Sequence, residues 1–123
     1  DSGARRSSLS QARIALEQSK LTSRLQRQQV VRQIRDAVRN FNEAERQIEL
    51  LQAALKLAER TYDVEQSRFE LGLAQSQDLL DAQGSLTRAR IDALDAVISY
   101  QRRLKDLRLA TMADLSEFAA TTN

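Results

Sequence analysis

An apolar residue returns at every seventh position from Ile34 to Phe69, by way of Phe41, Ile48, Leu55 and Tyr62. Between these lie Val30, Ala37, Ala44, Leu51 and Ala58, and then Glu65. Large residues in one series and mostly small ones in the other make the seam of a coiled coil. Nothing in the chain interrupts it, because there is no Pro at all and no Gly between positions 3 and 72. The pattern predicts one helix over residues 4–71, about 100 Å long at 1.5 Å per residue. Before Val30 the frame slips. Ile14, Leu21 and Leu25 follow an earlier register, and Gln28 stands where the next apolar residue would fall, the mark of a stutter.

Gly72 suits the left-handed cap that ends a helix, and Ser76 is a fair N-cap for the next one. Asp78 then falls in a first turn, where the helix dipole favours a carboxylate. A second helix is expected over residues 77–110, because Leu79, Leu86, Ala93, Tyr100 and Leu107 keep the seven-residue spacing with Ala82, Ala89 and Ala96 between them. Gly84 lies inside it at modest cost. From residue 111 to 123 the pattern dissolves, and an irregular tail is expected. The fold class is all-α: one long helix, a tight turn at Gly72–Ser76 and one shorter antiparallel helix, making a single-domain fragment.

The residues this chain omits exclude most enzyme classes. Without His or Cys there is no imidazole for acid–base work, no thiol nucleophile and no zinc site built from those ligands. No catalytic residue, metal ligand or cofactor site is expected. No apolar run approaches the ~18 residues of a membrane-spanning helix. Beginning at Asp1-Ser2-Gly3, the chain reads as a mature or excised piece. Its net charge of +2 hides an asymmetry: residues 1–40 carry nine basic and three acidic residues, and residues 41–81 carry four and nine. A basic first third suggests nucleic acid, but Arg24, Arg27, Arg32, Arg35 and Arg39 are spread around the helix with no aromatic among them to stack on bases. A solvated face is the better reading, and no nucleic-acid partner is expected.

Two features show that the hairpin does not complete its own fold. A return helix ending near residue 110 covers the long helix only back to about residue 38. Ile14, Leu16, Leu21, Leu25, Val30 and Val31 are then left without cover. A second apolar stripe also runs along each helix: Leu50, Leu57, Val64 and Leu71 on the first, and Leu80, Leu94, Val97 and Leu104 on the second. On a helical wheel the first of these stands about 110° from the main seam. Two seams per helix imply neighbours on both sides, in a four-helix bundle formed by dimerisation or in a closed barrel of helices.

Tyr62-Asp-Val-Glu-Gln-Ser-Arg-Phe-Glu-Leu-Gly72, followed by Ser76-Gln-Asp-Leu-Leu-Asp-Ala-Gln83, resembles the outer-membrane efflux protein (TolC) family. That family repeats an aromatic residue, a Gly, a short turn and then Asp-hydrophobic-Leu-Asp-Ala-Gln. The run Leu86, Ala89, Arg90, Leu94, Ala96, Tyr100 and Leu104 resembles the family's return helix, and residues 30–38 its long descending helix. The resemblance implies a homotrimeric channel in the cell outer membrane, anchored by a β-barrel and continued through the periplasm as a helical barrel. This chain would be one of the two hairpins of each protomer, the second, lying in the periplasm. Membrane contact would then come only through barrel segments that this sequence lacks. The resemblance further implies export of small molecules or proteins, as in type I secretion, with an inner-membrane pump and a periplasmic adaptor protein as partners. Some members carry an Arg two residues after the Gly; this chain has Ala74 there, so a tip salt bridge of that kind lacks its cation.

Asp78 and Asp81 lie three apart on one helix face. Two carboxylates without further oxygen ligands make weak metal or catalytic candidates, and Asp78 has a helix-start role of its own. The resemblance implies a third role, in which Asp78 and Asp81 face the channel entrance and threefold symmetry gathers them into an acidic ring. At Leu71, Gly72 and Leu73 the first reading is a helix cap, and the resemblance implies a tip that contacts the adaptor. A generic coiled-coil scaffold without a transport role would explain the seams but not the tip motif.

Overall fold

The computed structural model describes residues 1–122. It consists of two helices, α1 over Ser2–Glu70 and α2 over Ser76–Thr122, joined by a turn over residues 71–75. The all-α hairpin expected from the heptads is therefore the fold, with no strand among the described residues. The chain clusters into two compact units, one of Ala37–Leu109 and one of residues 1–36 with residues 110 onward.

Within the unit of Ala37–Leu109, the face covered by the partner helix is the predicted seam. On α1, Ala44 is buried, and Ala37, Phe41, Ile48, Leu51, Leu55, Ala58, Tyr62 and Glu65 are half-buried. On α2, Ala82, Leu86 and Ala96 are buried, and Leu79, Ala89, Ala93, Tyr100 and Leu107 are half-buried. Small residues let two helix backbones approach closely, while larger ones fill the gaps between them. Phe41 and Tyr100 do so far from the turn, with ring centroids 5.2 Å apart and planes tilted by 39°. Coverage is deepest at Leu86 and Ala96, 6% and 4% exposed, and among the described residues no side chain is fully enclosed. The seam weakens at one end, where Phe69 is exposed.

The second stripe stands in solvent. Leu50, Leu57 and Val64 are exposed on α1, Leu71 in the turn, and Leu80, Leu94 and Val97 on α2. Leu104, expected in that stripe, is instead half-buried at the margin of the seam.

The structure departs from the sequence pattern in the other unit. Residues 111–122 are helical, not an irregular tail, and α2 runs on to Thr122. The seam continues there with polar residues in register, Asp114, Glu117 and Thr121. They line a groove together with Arg27 and Val30 of α1, and Phe118 lies beside them. Hydrophobic periodicity does not register such a stretch. No Gly or Pro stops the helix, and the hydroxyls of Ser116, Thr121 and Thr122 donate to carbonyls of their own preceding turn. Cover on α1 accordingly reaches back to Val30, which is half-buried, rather than to residue 38. Beyond it, Leu9, Ile14, Leu16, Leu21 and Leu25 are all exposed.

Candidate functional site: the hairpin tip

The turn is built from two helix ends whose backbone groups need partners. At the end of α1, the Gly72 N–H donates to the Phe69 carbonyl at 3.0 Å and the Leu73 N–H to the Arg68 carbonyl at 2.7 Å. This pair of bonds is a Schellman motif, which places Gly72 in the left-handed region, at φ 76°. A Cβ at Gly72 would meet nothing within 4 Å, so glycine is required there by backbone conformation and not by crowding.

At the start of α2 the cap lies one residue earlier than expected. The Gln75 carbonyl accepts from the N–H groups of Asp78 at 3.1 Å and Leu79 at 3.4 Å. Asp78 Oδ2 in turn accepts from the Gln75 N–H at 3.1 Å. Gln75, not Ser76, is the cap, and Asp78 supplies the side-chain half of a capping box. The sequence signal for this was the acidic residue three positions after Gln75. One turn further on, Gln77 Nε2 donates to Asp81 Oδ1 at 2.8 Å.

Asp78 and Asp81 line one open groove of the Ala37–Leu109 unit, with Leu57, Thr61 and Glu65 on the α1 side. The structure thus brings the two predicted aspartates together and adds Glu65, which sequence reasoning did not single out as a site residue. Its signal was a charge in a seam series otherwise filled by Val, Ala and Leu. Three carboxylates give the groove a negative field, offset on one side by Arg68, whose Nη1 lies 3.3 Å from Glu65 Oε1. Among the described residues no group of three or more His, Cys, Asp or Glu is placed to hold a metal ion. Leu71 and Leu73 flank Gly72 and are 74% and 66% exposed. They present apolar surface at the end of the hairpin.

Compared with known proteins, the chain matches a family model described as outer membrane efflux protein over residues 1–111. That match spans α1, the tip and most of α2. No curated protein and no solved structure matches it significantly.

Proposed function

Since the chain belongs to the outer membrane efflux protein family, we propose that it forms part of the periplasmic tunnel of a trimeric channel. Members of the family are channel proteins, and the chain is a component of an outer-membrane efflux channel. None of its described helices is long and apolar enough to cross a membrane. In the proposed assembly, hairpins stand side by side as a helical barrel and export small molecules or proteins, together with an inner-membrane pump and a periplasmic adaptor.

The observation that carries this reading is the family match over residues 1–111, and the second apolar stripe, exposed on both helices, supplies the surface its neighbours would cover. A hairpin with one partner face needs one seam; a stave in a closed ring needs a seam for each neighbour. The tip residues Leu71, Gly72 and Leu73 are assigned to the adaptor contact, and their exposure supports that role. Asp78 and Asp81 are assigned to the channel entrance. Repeated by threefold symmetry within a Debye length, roughly 8 Å at physiological salt, such carboxylates act as one cation-attracting site.

The test is electrical. In planar bilayers under a KCl gradient, channels carrying Asp78→Asn with Asp81→Asn lose cation preference, and any block by Mg²⁺ weakens. Parent-like reversal potentials and block in the double variant would remove both residues from the entrance and leave Asp78 only its cap.

A further inference from the structure

Leu73 is held at both of its peptide groups by a single residue. Its N–H donates to the Arg68 carbonyl at 2.7 Å, and its carbonyl accepts from Arg68 Nη2 at 3.4 Å. The other arm of the guanidinium donates from Nη1 to Glu65 Oε1 at 3.3 Å. Glu65 is the charged member of the seam series, and its side chain is only 20% exposed. A carboxylate drawn that far out of water is costly unless it is partnered, and Arg68 partners it. Leu73's own side chain stays in solvent.

We propose that Arg68, braced by Glu65, is the positioning residue of the tip, fixing the Leu73 backbone so that this exposed leucine meets a partner protein already oriented. The inference builds on the tip-docking reading above and names the residue that sets its geometry. The work needs donors on two nitrogens held apart in one plane, which arginine has, whereas the donors of a lysine ammonium share a single nitrogen. Holding a binding residue in its bound orientation beforehand lowers the ordering cost of association. Arg68 itself is half exposed, at 52%, so the ion pair of this strap contributes little to global stability.

The test uses the assembled channel protein with a nitroxide attached through Leu73→Cys, whose spectrum reads local motion on the nanosecond scale. Arg68→Gln shortens the label's correlation time about twofold, and Arg68→Lys does not restore it. Glu65→Gln, which keeps a carbonyl acceptor for the guanidinium, stays near the parent, whereas Glu65→Leu frees the label. The Lys variant keeps charge and helix propensity, so it carries the test if the Gln variant does not assemble. A parent-like line shape with Gln or Lys at position 68 overturns the proposal. Adaptor binding is measured separately on the position-68 and position-65 variants with Leu73 intact and no label. A loosened label with undiminished binding keeps the strap and refutes docking through Leu73. Weakened binding with an unchanged label refutes the strap and keeps docking.

Discussion

At the scale of single residues, the tip rests on one backbone conformation and one borrowed hydrogen bond. Gly72→Val places a β-branched residue at φ 76°, at a cost of about 1–2 kcal/mol. The space around Gly72 is open, so the cost is backbone strain, and the turn relieves it by distorting. On the proposed reading, the channel still assembles while adaptor docking and efflux weaken; unchanged efflux in cells carrying the variant counts against docking at the tip. Gly72 was legible in the sequence because only one residue type serves a left-handed cap cheaply. The N-cap was not, because propensity favours Ser76, whereas the Asp78 carboxylate reaches back to the Gln75 N–H and marks Gln75 as the cap.

At the scale of the helices, register was readable wherever the seam is apolar. Every seam position named on α2 from Leu79 to Leu107 is buried or half-buried, because alternating three- and four-residue steps track one face of a helix. Leu86 is the large side chain packed deepest, so Leu86→Ala lowers stability by about 2–3 kcal/mol. The same truncation at exposed Leu94 changes it by less than about 1 kcal/mol. Urea titrations followed by circular dichroism separate the two, and equal losses would mean that the covered face is misassigned. Legibility failed where Asp114, Glu117 and Thr121 carry the seam onward beside Arg27. Polar groups in register look like a frayed end to any reading based on hydrophobicity. Glu65 escaped notice for the same reason.

For the whole molecule, uncovered apolar surface outweighs the covered part. Among the described residues only Ala44, Ala82, Leu86 and Ala96 are buried hydrophobics, whereas both second stripes apart from Leu104, and the leucines before Arg27, lie in solvent. Such surface drives association, so the purified chain is expected to self-associate at micromolar concentration. Leu50→Glu with Val64→Glu leaves helicity intact, since both sites are exposed, and shifts the sedimentation profile toward monomer. A parent chain that sediments as a stable monomer, with its N-terminal half protected from hydrogen exchange, would contradict the expectation. That each helix carries a second apolar face, exposed in the hairpin, was legible in the double periodicity. Whether that face serves a bundle or a ring was not, because both bury the same stripes.

A turn over residues 71–75 between antiparallel helices also dictates the order in which contacts can form. Pairs beside the turn close loops of a few residues, and each pair further out closes a longer one, at an entropy cost that rises with the logarithm of loop length. The Phe41–Tyr100 pair closes one of the longest in its unit. Folding therefore runs as a zipper from the tip, with the capped turn as its nucleus. Substitution at Gly72 slows folding, whereas Phe41→Ala leaves the folding rate nearly untouched and speeds unfolding. Stopped-flow chevrons at several protein concentrations read both limbs. A larger effect of Phe41→Ala than of Gly72→Val on the folding limb would place the nucleus away from the turn.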